Sequence, residues 1–105
     1  MPEVVVRISR GTFGPQQYDE VTAKLTQGRP KLEPALRGLA GLRHYYVAID
    51  PVSNTMVNVS VWDSLAHAQQ MDRLAAMQAQ RAAFETLGVR FEQIRNYTTL
   101  WGVKP

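Results

Sequence analysis

Residues 57–62 read Val-Asn-Val-Ser-Val-Trp. Alternate side chains of an extended chain point to opposite faces. Asn58, Ser60 and Trp62 therefore share one face, and Val57, Val59 and Val61 share the other. An amide, a hydroxyl and an indole side by side suit the binding of a small aromatic molecule. Trp62 offers a ring to confine a planar substrate by stacking. Asn58 offers a hydrogen bond to a phenol, a carbonyl or a developing oxyanion, and Ser60 a further one. Residues 42–50, LRHYYVAID, put His44 and Tyr46 on one face and Tyr45 on the other. A histidine titrates near neutral pH and can take a phenolic proton.

Trp62, Asn58 and His44 are thus the candidate catalytic residues. Tyr46, Ser60 and Arg7 are candidates for substrate binding, with Met71 and Phe84 as pocket walls. Arg7 and Arg95 suit an anionic substrate group, or a carboxylate at a subunit edge. Each residue also has a purely structural role open to it. Trp62 fits a core position at a strand–helix junction, Asn58 a solvated face, His44 an exposed strand edge, and His67 a solvent-facing helix position.

Other chemistries find little support. The 105 residues include no cysteine, which excludes disulfides, thiolate metal sites and cysteine nucleophiles. Two histidines on different elements, without adjacent carboxylates, do not make a metal site. The GTFG at residues 11–14 lacks the lysine and the length of a phosphate-binding loop. A net charge of +3, with basic residues scattered and no aromatic platform among them, argues against nucleic acid as a partner. No apolar run approaches membrane-spanning length, and the first residues do not read as a signal peptide. A cytoplasmic protein without cofactor is expected.

The elements that must position these residues follow from local signals. Residues 3–10 are rich in β-branched side chains and predict a first strand. Pro15 suits the first turn of a helix over residues 15–25, which Gly28 and Pro30 are expected to stop; a short helical piece follows over residues 34–39. Residues 42–50 and 55–62 predict an antiparallel hairpin about the turn sequence of residues 50–54. Asp63 or Ser64 can cap a helix that runs, in two pieces or bent, to a terminating Gly88. Residues 89–101 predict a long fourth strand, with Val89, Phe91, Gln93, Arg95, Tyr97, Thr99 and Trp101 on one side.

The order β-α-β-β-α-β over a single domain, residues 1–105, predicts a ferredoxin-like α+β fold: a four-stranded antiparallel sheet with helices on one face and strands one and three at its centre. Two helices cover only one sheet face. Either the aliphatic face packs on them and the mixed face meets water, or both faces are buried, one under the helices and one against a second subunit. In the second case a gap between helices and sheet forms a small-molecule pocket lined by Trp62, Asn58 and Ser60.

The stretch VNVSVWDSLAHAQQM, with the preceding GLRHYYVAID, resembles the antibiotic biosynthesis monooxygenase-like family of dimeric α+β barrels. In that family a strand ends in Trp, then a polar step, then a helix; the strand-end Trp matches Trp62. The resemblance implies a homodimer through sheet-to-sheet packing. It also implies a cofactor-independent monooxygenase acting on a small hydrophobic or aromatic molecule, phenol- or quinol-like. The alternative is a non-catalytic homodimer that binds a small ligand. The haem-degrading branch also carries an Asn on strand one and a His well along the helix after the Trp. Residues 4–10 hold no Asn, and His67 comes too early, so haem degradation is not expected.

Overall fold

A computed structural model describes residues 4–105; Glu3, the first residue of the expected opening strand, lies outside the described residues. The chain folds as β1 (Val5–Thr12), a 3-10 turn (Pro15–Gln17), α1 (Tyr18–Arg37), β2 (Leu42–Asp50) and β3 (Thr55–Trp62). There follow α2 (Leu65–Ala68), a 3-10 turn (Gln69–Arg73), α3 (Ala75–Thr86), β4 (Arg90–Phe91) and β5 (Arg95–Thr98). All pairings are antiparallel, in the order β2-β3-β1-β4, with β5 also on β1. β1 and β3 hold the centre, as expected.

Turn and cap chemistry explains where the elements stop. Asp50 closes the β2–β3 turn by accepting from Val52 N at 2.9 Å and Ser53 Oγ at 2.8 Å. Ser64, not Asp63, caps α2, its side chain accepting from His67 N at 3.2 Å. Gly88, at φ +94°, ends α3. There Gly88 N donates to Glu85 O and Val89 N to Phe84 O, both at 3.0 Å, which satisfies carbonyls the helix leaves open.

Two expectations are corrected. α1 does not stop at Gly28 and Pro30 but runs unbroken to Arg37, with Pro30 and Pro34 inside it. The stripe Val21, Leu25, Gly28, Leu32 and Leu36 keeps helical spacing across the prolines, and packing on that stripe holds the helix. Both prolines, and Thr26 whose carbonyl Pro30 leaves unpaired, are exposed, so solvent can hydrate what the ladder loses. Glu33 adds a brace, accepting from Arg37 at 2.8 Å and Arg29 at 3.2 Å; Arg37 first and Arg29 second hold its carboxyl below the usual range.

The fourth strand is not continuous. Gly11 pairs with Phe91 and Ile8 with Arg95, so the outer strand spends one more residue than β1 over the same distance. That is a β-bulge. It reverses the alternation: Phe91 faces the helices, while Arg95 and Tyr97 face the other side. Residues 99–105 carry no regular structure.

The register answers which face is covered. Val5, Arg7, Ser9 and Gly11 of β1 pair with Trp62, Ser60, Asn58 and Met56 of β3, and directly paired residues share a face. Trp62 packs with Val5, Leu36, Ala68 and Met71; Met56 packs with Phe13, Val21, Phe84 and Val89. The mixed face therefore lies under the helices. The aliphatic face carrying Val6, Ile8, Val57, Val59 and Val61 is the uncovered one.

Candidate functional site

Between the mixed face and the helices lies a hollow of about 190 Å³. Its floor carries Arg7, Ser9, Asn58 and Ser60, and Met71, Met77 and Phe84 are among its apolar walls. The β-alternation that put Asn58 and Ser60 on one face thus delivers both to one cavity, and β1 adds Arg7 beside them. Met71 and Phe84, both expected as pocket walls, line this hollow. Leu25, Leu32, Tyr45 and Val47 border both this hollow and a larger open groove of about 850 Å³ along α1 and the edge strand β2. The two lie side by side between α1 and β2.

Arg7 is a charged side chain under the helices, 6% exposed, and it donates from Nη2 to Asp72 Oδ1 at 2.7 Å. Asp72 sits at the rim, 57% exposed, on the 3-10 turn that precedes α3. Only an ion pair makes burial of a guanidinium here tolerable. Ser60 accepts from the Trp62 indole Nε1 at 2.8 Å, and both are buried. This bond fixes one lone pair of Ser60 and leaves its own proton to be donated.

Two polar atoms of the hollow have no protein partner. The Tyr45 hydroxyl and Asn58 Oδ1 are both buried without a hydrogen bond. Burial pushes the Tyr45 phenol up to about 12, so it is protonated at neutral pH and acts as a donor. Left without any partner, a buried group of this kind costs about 1–3 kcal/mol; a bound water or a small ligand would satisfy it.

Four expected site residues sit elsewhere. Register pairs Tyr45 with Ser60, and so turns His44 and Tyr46, paired with Val61 and Val59, to the uncovered face. Their rings stack there at 6.0 Å. Trp62 shares the mixed face but does not border the hollow; α2 and Leu36 close over it, and it is fully buried. Its reach to the hollow is through Ser60. Arg95 faces away as well, opposite Ile8. His67 packs its ring against Gly41. Gly41 has φ +78°, and a Cβ there would lie 2.4 Å from the His67 ring.

Tyr45 and Asp72 are the residues that sequence reading missed. Tyr45 was findable: counting back from the 50–54 turn pairs it with Ser60. Asp72 left no signal, because its position depends on where the chain breaks between α2 and α3.

No protein-family model matches the chain, and no curated protein matches it. Its fold is nonetheless shared with solved structures. A "putative antibiotic biosynthesis monooxygenase" from Deinococcus radiodurans superposes with a TM-score of 0.72 at 18% identity, over 96% of this chain and 97% of that one. SnoaB, a cofactor-independent oxygenase from Streptomyces nogalater, gives 0.63 at 15% identity, over 98% and 99% of the two chains. A protein of unknown function from Nitrosomonas europaea gives 0.72 at 16% identity, over 99% and 96%. The chain thus has the α+β fold of these proteins, among them structures named for the antibiotic biosynthesis monooxygenases that residues 57–71 resemble.

Proposed function

We propose that this protein is a cofactor-independent monooxygenase of a small phenol or quinol, working as a homodimer. One observation carries the reading: a mostly apolar hollow in which two buried polar atoms, on Tyr45 and Asn58, await partners beside a buried guanidinium. A hydroxylated aromatic ring supplies both the apolar body and the missing polar groups.

The chemistry needs little from the protein beyond shape and charge. The phenol gives up its proton to solvent, and the phenolate passes one electron to O2. The resulting radical pair joins at a ring carbon as a peroxide anion, which takes up a proton and then loses water. The balance is one phenol and one O2 to one quinone and one water. Arg7 favours the phenolate electrostatically, Asn58 orients the ring, and the walls exclude water from the intermediates.

Homodimerisation is supported by the uncovered face. Val57, Val59 and Val61 are half-buried in one chain, while Tyr46 (57%), Tyr97 (49%) and the tail residues Trp101 (80%) and Val103 (78%) are exposed. An exposed apolar face of this kind suits a subunit contact. Two such sheets packed face to face bury it.

The second reading, a homodimeric ligand-binding protein without catalysis, draws on a different observation. Neither His44 nor His67 borders the hollow, so no side chain that ordinarily titrates near pH 7 meets the ligand. Oxygen uptake with single-ring quinols, and incorporation of isotopically labelled O2 into the product, separates the two. The oxygenase reading expects labelled product and a loss of about a hundredfold in kcat/KM for Asn58→Ala. Ligand binding without oxygen uptake overturns it in favour of the binding protein.

A further inference from the structure

The hydrogen-bonding pattern of the hollow specifies more than an aromatic ring. Ser60 pairs with Arg7 across one strand boundary and with Tyr45 across the other. The three residues form one cross-strand row, with Arg7 and Tyr45 about 10 Å apart at their Cα atoms. Asn58 lies on the neighbouring row, two residues along β3 on the same face. The Tyr45 hydroxyl and Asn58 Oδ1 do not bond each other, and neither has any other protein partner.

We infer that the hollow takes a single-ring dihydroxybenzene, with one oxygen bound as the oxyanion accepting from Tyr45 and the other hydroxyl donating to Asn58 Oδ1. The inference rests on the oxygenase reading of the same hollow and makes Tyr45 a catalytic residue of it.

Each part has its own observation. A buried phenol kept protonated can only donate or accept as a neutral group, so it suits an oxygen that gains negative charge. Asn58 Oδ1 can only accept, so its partner carries a proton. Once the oxygen at Tyr45 is ionised it has no proton left for Asn58, so a second hydroxyl is needed to donate there. Arg7 adds positive charge in the row that holds Tyr45. Size sets the ring count. A dry cavity of about 150 Å³ holds one benzene, and pockets for larger organic ligands run from about 300 Å³ upward. At about 190 Å³, the hollow fits one substituted ring and not a fused system.

The test uses 4-nitrocatechol, a single-ring diol whose absorption changes when it ionises. It is titrated against pH in the presence of the native protein without oxygen. The expected result is ionisation of the bound probe at a pH about one unit lower than in solution, a tenfold preference for the oxyanion. Tyr45→Phe is expected to abolish that shift. Tyr46→Phe, its chain neighbour on the uncovered face, is expected to keep it, and matched circular dichroism shows both variants folded. Asn58→Ala is expected to bind 4-nitrocatechol no better than 4-nitrophenol, which lacks the second hydroxyl. A hydroxyanthracene is expected not to compete.

A shift retained in Tyr45→Phe, no binding by the native protein, or competition by the three-ring phenol overturns the inference. Oxygen uptake with unsubstituted catechol and hydroquinone is measured in the same variants. Turnover that ignores Tyr45→Phe sinks the assignment of Tyr45 and leaves the oxygenase reading standing. A shifted bound probe without turnover of any diol keeps the recognition and sinks the oxygenase reading.

Discussion

Arg7 and Asp72 stand 65 residues apart in the chain and 2.7 Å apart in space, one under the helices and the other at the mouth of the hollow. The pair ties the centre of the sheet to the break between α2 and α3. Its two members are not equivalent. Asp72 without Arg7 returns to water, whereas Arg7 without Asp72 is a buried charge with its partner gone. Asp72→Asn is therefore expected to cost about 1–2 kcal/mol, reduced from a fully buried pair by the exposure of Asp72. Arg7→Met is expected to cost less, yet to weaken binding of an anionic ring about tenfold or more. Urea unfolding and ligand titration of both variants check the asymmetry.

The Tyr45 hydroxyl has no hydrogen-bond partner among the protein's own groups. Tyr45→Phe is expected to raise stability by about 1 kcal/mol while it reduces ligand binding, the trade expected of a group kept for function. The same residue sets an alkaline limit. Its folded value is raised from 10.0 to about 12 by burial. The folded state therefore holds the phenolic proton more tightly than the unfolded chain. The contribution is fully present below pH 10 and is lost as pH rises towards 12. The loss is at most about 3 kcal/mol. Melting temperatures of native protein and Tyr45→Phe, compared from pH 9 to 12, are expected to diverge steadily in favour of the variant.

Trp62 is fully buried, and its indole satisfies Ser60 at 2.8 Å. Trp62→Phe removes that donor and leaves a void beside α2. A loss of about 2–3 kcal/mol in stability is expected from the combined cavity and hydrogen bond. Because Trp62 does not border the hollow, the remaining folded protein is expected to bind ligand within a few-fold of native. Calorimetry of the melt together with a binding isotherm tests both halves. A large binding loss without a stability loss would return Trp62 to the ligand's surface.

Val59 lies near the middle of the uncovered face, between Ile8 of β1 and Tyr46 of β2. A lysine there does not disturb the helices, which lie on the other side. Val59→Lys is expected to halve the mass seen by sedimentation while the circular dichroism spectrum persists. An unchanged mass would mean that this face is not the subunit contact.

The legibility of the site differs residue by residue. Asn58, Ser60 and Arg7 were readable together because alternation within β-strands is local, and it held across β1 and β3. His44 and Tyr46 were misassigned for want of one count, the hairpin register, which turns Tyr45 to the site and its neighbour away. The prolines of α1 read as stops because the local rule is sound for an isolated helix. Here the stripe from Val21 to Leu36 packs on the sheet, and the unpaired carbonyls face water. The bulge between Phe91 and Arg95 had no mark in composition, since an extra residue in a strand shows only against its partner.

The sequence alone determined the α+β class, the hairpin, the capped start of α2 and the glycine stop of α3, and the company that Asn58, Ser60 and Trp62 keep. All of these rest on interactions within a few residues. The tertiary structure decided which sheet face lies under the helices. A strand's alternation is the same pattern whichever side is covered, so the choice waits for the helices to pack. Only then are Arg7 and Tyr45 turned inward beside Asn58, and the valines left on the uncovered face.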